Sequence, residues 1–113
     1  MTIAYVFAPA YTSLGTDEAP GFLDWVDSRL KAGAGYLLVD LQNIQEIGSS
    51  GLGTLMIARN RARRAGATLM LCSLTPSTRL CLDRAGMLEK FKIYSDRQAF
   101  EQQMDAPTDL SLS

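Results

Sequence analysis

Two adjacent serines, Ser49 and Ser50, are the side chains of this sequence whose type and spacing most strongly suggest chemistry. They lie in the segment IGSSGLG, which covers residues 47–53 and contains three glycines. The apolar run YLLVDL precedes this segment, and a long stretch rich in Ala, Leu and Arg follows it. A turn of this kind is compatible with a phosphate-binding loop, a catalytic nucleophile, a serine that accepts phosphate, or a plain helix start.

The spacing of the segment does not fit nucleotide-binding or nucleophile motifs. A Walker loop needs Lys followed by Ser or Thr after its last glycine, whereas Thr54 and Leu55 follow Gly53. The glycines also miss the dinucleotide-binding pattern GxGxxG, and Leu52 stands where a GxSxG turn needs its second glycine. The chain contains no histidine, so the usual general base for a serine or cysteine nucleophile is missing. We therefore predict no catalytic residue and no enzyme activity.

A helix start and a phosphate-accepting serine remain, and they share one geometry. A hydroxyl that caps the unpaired N–H groups of a first helical turn lies where a phosphate dianion would meet the same groups and the positive end of the helix dipole. Because Ser is a preferred N-cap residue, the residues alone favour the plain cap. We interpret the glycines as room for a closely approaching partner loop.

Composition and charge restrict the possible partners and cofactors. The 113 residues fit one domain, and eleven basic against twelve acidic side chains give a formal net charge of −1. Nucleic-acid binding needs a net basic surface and is not expected. Cys72 and Cys81 form no CxxC pair, so we predict two buried, reduced thiols and no metal or cofactor site. The N-terminus lacks the features of a signal peptide and no apolar run could span a bilayer, so we expect a cytoplasmic protein without direct membrane insertion.

Apolar runs alternate with amphipathic stretches, which predicts an α/β fold with right-handed crossovers and a largely parallel sheet. The predicted strands are residues 3–7, 36–41, 68–73 and 91–94. The predicted helices are one of about three turns within residues 19–35, one from about Ser50 to Ala65, one from the N-cap Thr75 and Pro76 to Gly86, and one from a capping box at residues 95–98 to about Met104.

The helix after the serines carries two neighbouring stripes at 100° per residue. The first is charge-free and is predicted to pack on the sheet, and it consists of Leu55, Ala58, Ala62 and Ala65. The second is apolar near the serines and basic farther along, which fits a docking edge for an acidic partner. Alternatively, its apolar members border the core and its arginines, with Arg61 and Arg64, are only solvated. The second stripe consists of Leu52, Met56, Arg59 and Arg63.

Most of the chain resembles the STAS family, the family of the anti-sigma-factor antagonists. The family hallmark is an apolar strand, a D-S-S-G-L-G-like loop and a helix, matched here by YLLVDLQNIQEIGSSGLG. Further matches are Ala65-Gly66-Ala67 before a strand, Pro76 at a helix start, AGMLEKFKIY, and LGTDEAPGF in the first loop. The resemblance implies a β-α superhelical sandwich with a mixed, mostly parallel sheet of about four strands and about four helices. Residues 1–104 would form this single domain, and the polar segment 105–113 is expected to be a short flexible tail.

The resemblance implies partner switching as the activity. A serine kinase of the GHKL type, which also serves as an anti-sigma factor, would phosphorylate one loop serine, and a PP2C-type phosphatase would remove the phosphate. The acceptor of the family is the first serine of the pair, which falls on Ser49, with Ser50 as the less favoured candidate. The expected partner-binding residues are Gly48, Ser49, Ser50, Gly51, Leu52, Met56, Arg59 and Arg63.

Two positions differ from the family pattern. Gly48 precedes the acceptor and Gly15 lies in the first loop, and the family usually has Asp at both places. Both differences favour an alternative function, in which the chain is a constitutive, phosphorylation-independent STAS subunit of a larger complex such as a lipid-transport complex or a signalling scaffold.

Overall fold

A computed structural model describes residues 3–103 and the backbone of residues 108–110. The elements are, in chain order, β1 (Ala4–Phe7), β2 (Ser13–Leu14), α1 (Ala19–Lys31), β3 (Tyr36–Asp40), β4 (Glu46–Ile47), α2 (Ser49–Arg64), β5 (Thr68–Cys72), α3 (Pro76–Arg84), a 3₁₀ turn (Leu88–Lys90), β6 (Lys92–Tyr94), α4 (Arg97–Gln103) and β7 (Thr108–Leu110).

Five strands form the main sheet in the order β6-β5-β3-β1-β7. Every neighbouring pair in it is parallel, with Ala4 opposite Tyr36 and Tyr36 opposite Thr68 in the three central strands. The predicted α/β fold, its mostly parallel sheet and its four helices are therefore confirmed. Parallel neighbours require crossover connections, and the amphipathic helices between the apolar runs supply them.

The short strands β2 and β4 form a separate parallel pair that the sequence did not predict. Ser13 lies opposite Glu46 and Leu14 lies opposite Ile47. Two residues are too few for a recognisable alternation of apolar and polar side chains, so no pattern in the sequence marks them. Their pairing brings the loop after β1 next to the residues that lead into α2.

The C-terminal segment differs from the expected tail at three residues. β7 extends the sheet beyond β1, where Ala4 faces Thr108 and Val6 faces Leu110. The segment is short and polar and contains a proline, so its hydrophobic pattern does not indicate a strand. The other residues of the predicted tail, and Met104 at the predicted end of the last helix, lie outside the described residues.

The core has one hydrophobic cluster on each face of the main sheet, because successive strand residues point to opposite sides. Along β1, Tyr5 and Phe7 belong to the larger cluster, which α1, α2 and α3 cover. Ala4 and Val6 belong to the smaller cluster, which Phe100 of α4 covers. The site described below lies on the face with three helices, at the ends of β2 and β4.

The last helix begins differently from the expectation. Ser95 and Gln98 were predicted to form a capping box, but Asp96 is the capping residue, since its carboxylate accepts a hydrogen bond from the Ala99 N–H at 2.8 Å. Asp is as good a cap as Ser, so the one-residue shift has no cost in helix stability. The predicted cap of α3 is confirmed, because the Thr75 hydroxyl accepts a hydrogen bond from the Thr78 N–H.

Candidate functional site

The serine segment forms the first turn of α2, one residue earlier than predicted. Gly48 has an extended backbone and is the N-cap residue, and its carbonyl accepts the Leu52 N–H at 2.9 Å. Ser49 and Ser50 are thus the first and second helical residues, and the expectation that a serine caps this helix is wrong. Glycine tolerates the cap position, so the serine side chains are not needed there.

Both serines are exposed at the positive end of the α2 dipole. The first turn of α2 contains no acidic residue that would compensate the unpaired N–H groups. In the next turn, the Thr54 hydroxyl donates a hydrogen bond to the Ser50 carbonyl at 2.7 Å. This end of the helix can therefore receive an anionic group without displacing an existing carboxylate.

Only glycine fits at position 51, because the backbone of β2 lies against the backbone of α2 there. A Cβ at Gly51 would overlap the Leu14 carbonyl oxygen and would lie 2.8 Å from Ile47 Cγ1. The sequence-based interpretation that the glycines leave room for a partner is therefore wrong for Gly51, which is buried against β2. It remains a prediction for Gly48 and Gly53, where a Cβ would meet nothing within 4 Å.

The loop after β2 brings a carboxylate close to the second serine. The Gly15 N–H donates to Glu18 Oε1 at 2.9 Å. A Cβ at Gly15 would lie 3.6 Å from Glu18 Oε1 and 3.9 Å from Ser50 Oγ. No pattern in the sequence identifies Glu18, because only the pairing of β2 with β4 brings the loop at Gly15 next to Ser50.

A groove of about 500 Å³ runs beside the serines, between the β2–β4 pair and α3. Gly48 and Ser50 line it, and Ser77 and Cys81 line its other side. Ser49 is not among the lining residues, so the two serines face different surroundings. Ser50 therefore lies beside a concave surface.

The start of α3 holds the backbone that leads into this site, which the sequence did not predict. The Thr75 and Thr78 hydroxyls both donate to the Ile44 carbonyl, at 2.9 and 3.1 Å. The Ser77 hydroxyl donates to the Gln45 carbonyl at 2.7 Å. These hydroxyls fix residues 44–45, which continue directly into β4 and α2.

The packing face of α2 largely agrees with the prediction. Leu55, Ala58 and Ala62 are buried, but Ala65 is exposed and forms the C-cap of the helix. Ala65 is wrong as a core residue because the helix ends before it and the chain turns at Gly66, whose φ is +79°.

The second stripe of α2 is more closely attached to the protein than a free docking edge would be. Leu52 and Met56 are half-buried and pack against the larger core cluster, as in the alternative interpretation. The Arg59 Nε donates to the Lys90 carbonyl at 2.7 Å, and Arg63 is exposed. The large apolar side chains that are exposed are instead Ile57 (45%) on α2 and Leu80 (47%) on α3.

The C-terminal half of α2 has a basic character. Arg59 and Arg63 line a cavity of about 300 Å³ together with Lys90 and Lys92. Arg61 forms an ion pair with Asp27 of α1 at 2.8 Å, so it is more than a solvated charge. Basic side chains at this end compensate the negative end of the helix dipole.

The two cysteines differ in their surroundings. Cys72 is buried, and burial together with the nearby Asp40 carboxylate raises the pKa of its thiol to about 12. Cys81 is only half-buried, so the expectation of a buried thiol is wrong for it. Within residues 3–103, no three His, Cys, Asp or Glu side chains cluster in a way that could hold a metal ion. The same residues form no helix with the length and hydrophobicity to cross a bilayer.

A comparison with family models assigns the fold and the site to one family. The model of the STAS domain matches residues 13–99, from β2 into α4. The chain belongs to the STAS domain family. The matched part of the STAS domain includes the serines, Glu18, the groove and the start of α3. STAS domains are generally non-enzymatic binding modules that mediate protein–protein interactions.

Solved structures with the same fold include two at low sequence identity. The NMR structure of the protein TM1081 has a TM-score of 0.73 and 22% identity, over 87% of this STAS domain chain and 79% of that chain. The crystal structure of a sulfate transporter family protein from Wolinella succinogenes has a TM-score of 0.66 and 13% identity, over 86% and 80% of the two chains. At these identities the likeness shows the fold alone. A search of curated protein sequences gave no significant match.

Proposed function

We propose that this STAS domain is a regulatory binding module of the anti-sigma-factor-antagonist type, controlled by phosphorylation of Ser49. Its partners would be a GHKL-type serine kinase that acts as an anti-sigma factor and a PP2C-type phosphatase, in the cytoplasm. The observation that carries the proposal is the exposure of both serines at a helix N-terminus without an acidic residue in its first turn. The STAS family membership adds to it, since the family mediates protein–protein interactions.

A phosphate at this position would change binding by charge. It adds about −1.5 to −2 charges and three acceptor oxygens, which the unpaired N–H groups of the first turn can receive. An acidic partner surface that docks on the unmodified helix end would then be repelled. The switch needs no refolding of the domain, because the serines are already exposed.

The surroundings of the two serines support Ser49 rather than Ser50 as the acceptor. Ser50 faces the groove and lies near the Glu18 carboxylate, which would repel a phosphate on Ser50. Ser49 does not line that groove and is exposed at the helix end. A kinase therefore has freer access to Ser49, and a phosphate there is farther from the existing negative charge.

The exposed side of α2 supplies a docking surface that starts at Ser49. Residues four apart lie on one side of a helix, so Ser49, Gly53 and Ile57 form one row. All three are exposed, and a Cβ at Gly53 would meet nothing within 4 Å. Ile57 provides an exposed apolar side chain on the same side of the helix as Ser49, whereas Leu52 and Met56 are half-buried.

A second candidate function is a constitutive, phosphorylation-independent subunit of a larger complex, such as a lipid-transport complex or a signalling scaffold. Gly48 and Gly15 favour it, because the STAS pattern of the switchable members has Asp at both positions. In this case the same helix row would bind a permanent neighbour.

Phosphorylation by candidate GHKL-type kinases tests the first candidate against the second. The purified chain is incubated with labelled ATP and each kinase, and the modified residue is mapped by mass spectrometry. We expect one phosphate, on Ser49, which is lost in Ser49→Ala and kept in Ser50→Ala. Incorporation of phosphate on Ser50 alone, or on neither serine with any kinase that binds the domain, would contradict the proposal.

Binding measurements with the same kinases test the consequence of the modification. Ser49→Asp should weaken binding at least tenfold, while Ser49→Ala retains it. Ile57→Glu should also weaken binding, and more strongly than the double variant Arg59→Glu with Arg63→Glu, which changes residues away from the row. Equal binding by Ser49→Asp and Ser49→Ala would favour the constitutive subunit.

A further inference from the structure

A cavity of about 410 Å³ lies at the start of α1, apart from the groove beside Ser50. Phe7 and Phe22 form its apolar wall, and both are almost fully buried. The volume falls in the range of small-molecule sites, which are largely apolar concavities with a few placed polar groups. The cavity is therefore large enough for a small organic ligand.

The polar groups around this cavity have one sign of charge. Its charged lining residues are Asp17 and Glu18, and no Lys or Arg lines it. The Tyr11 hydroxyl oxygen is buried and has no hydrogen-bond partner among the described residues. The faces of aromatic rings also attract cations. The lining as a whole suits a ligand that combines a positive charge with an apolar body.

Gly21 is exposed and lines the cavity at the start of α1. It lies in the first turn of α1, where glycine is less favourable than alanine. Its φ is not in the left-handed region, and a Cβ at Gly21 would meet nothing within 4 Å. Neither backbone conformation nor close packing requires a glycine here, and a larger side chain would extend into the open space beside the cavity.

We propose that this cavity binds a small organic ammonium ion. The ammonium group lies between the Glu18 and Asp17 carboxylates and donates to the Tyr11 hydroxyl oxygen, and the apolar body packs on Phe7 and Phe22. The site is separate from Ser49, and ligand binding there makes the domain a small-molecule sensor as well as a protein-binding module.

Glu18 connects this cavity to the serines. The same carboxylate accepts the Gly15 N–H at 2.9 Å, and Gly15 flanks Ser50. A bound ammonium ion compensates the negative charge of Glu18 and so changes the potential beside the switch residues. Ligand binding and the state of the serines are thereby coupled through one side chain.

Benzylammonium is a suitable probe, because it combines one ammonium group with a flat apolar ring. Trp25 is the only tryptophan of the chain, and its ring centroid lies 5.0 Å from that of Phe7 in the cavity wall. Fluorescence titration of the full chain therefore reports occupancy, and amide chemical shifts near Tyr11 and Gly21 locate the ligand. We expect saturable binding, at least tenfold tighter than that of benzyl alcohol or benzoate.

Two pairs of variants separate this site from unspecific binding. Glu18→Gln keeps an acceptor for the Gly15 N–H but removes the charge, and it should weaken benzylammonium binding at least tenfold. Glu46→Gln, on the other groove, should leave it unchanged. Gly21→Leu fills the mouth and should abolish binding, whereas Gly53→Leu, an equally open helical glycine, should not.

The proposal is overturned by any of three results: no saturable response to benzylammonium at millimolar concentration, equal affinity for benzyl alcohol, or unchanged affinity in Glu18→Gln. Amide spectra of each variant verify that it is folded. If Gly21→Leu does not fold, Glu18→Gln and the neutral probe still decide the matter. Failure here leaves the Ser49 proposal intact, because the phosphorylation assay contains no ammonium ligand.

Discussion

The two ends of α2 are held in the protein by different means. At the N-terminal end the backbone of Gly51 packs directly on the Leu14 carbonyl, and the serine hydroxyls are exposed. At the C-terminal end the contacts come from long side chains, with Arg59 on the Lys90 carbonyl and Arg61 on Asp27. The N-terminal end is held by close backbone packing, whereas the C-terminal end adds an ion pair and a side-chain hydrogen bond to its buried alanines.

This difference explains why the N-terminal end can serve as a switch. Because its position depends on backbone packing, a change of charge on the exposed serines does not disturb what holds the helix. At the C-terminal end the charged side chains themselves form the contacts, so a change of charge there alters the attachment. The comparison predicts that added volume at the N-terminal end costs more stability than the loss of a single charge at either end.

The largest effect is expected when volume is added at the N-terminal end. Gly51→Ala should lower the free energy of unfolding by about 1–3 kcal/mol, because the added methyl group overlaps the Leu14 carbonyl. Urea denaturation measures the change. The matched control is Gly53→Ala, two residues on, where space is open and the loss of glycine should raise stability by about 0.5–1 kcal/mol. Equal effects of the two substitutions would refute the role of backbone packing.

A smaller loss of stability is expected when the hydrogen bonds from α3 to the residues that lead into α2 are removed. Thr75→Val removes the cap of α3 and one donor to the Ile44 carbonyl with little change in volume, and should cost about 1–2 kcal/mol. Hydrogen exchange should quicken at residues 44–47 and not at the C-terminal end of α2. Thr68→Val, at an exposed position that starts β5, is the control and should leave exchange near the serines unchanged.

Charge at the serines should change stability modestly and in a position-dependent way. Ser49→Asp places a carboxylate at the positive end of the helix and should stabilise the domain by about 0.3–1 kcal/mol at low salt. Ser50→Asp should stabilise less, because the Glu18 carboxylate lies near it. Thermal unfolding of both variants with and without the added substitution Glu18→Gln measures the difference. A Ser50→Asp variant as stable as Ser49→Asp would exclude Glu18 as the cause.

The smallest effect is expected for the ion pair at the C-terminal end. Arg61→Ala should lower stability by about 0.5 kcal/mol or less, because both partners are largely exposed and solvent screens them. The loss should shrink further in high salt. Arg64→Ala, an exposed arginine of the same turn, is the control. A loss several times larger for Arg61→Ala would show that this ion pair contributes more to stability than a solvent-screened pair can, and would contradict the ranking.

Much of the fold could be predicted from the sequence because long apolar or amphipathic runs carry their own periodicity. The central strands near Tyr36 and Thr68, the helix after the serines and the start of α3 at Pro76 were all found in this way. The strands that the sequence did not predict, β2, β4 and β7, have two or three residues each and form only by pairing with another strand. The cap of α2 was misassigned because serine and glycine are both acceptable there, and the sequence alone does not decide between them.

The chain segment that contains the site could be predicted from the sequence, but the residues that surround it in space could not. The sequence singled out Ser49 and Ser50 and the helix that follows them, and the structure brings both serines to an exposed helix end. It could not identify the residues around them, such as Glu18 and Ser77, which lie far away in the chain. It also could not tell that Ile57 is more exposed than Met56, because the two stripes of the helix are adjacent and only the packed neighbours decide which is covered.

The sequence by itself determined the order of the four helices and of the four longest apolar runs, the resemblance to the family, and the location of the two serines, since these depend on local pattern and propensity. Only the tertiary structure decided that Gly51 contacts Leu14, that Gly15 lies next to both Glu18 and Ser50, and that a cavity lies at the start of α1. The reason is physical: a parallel pair of two residues and a close backbone contact leave no periodic trace in the sequence. They arise only when β2 and β4 meet, and their meeting gives the two serines different surroundings.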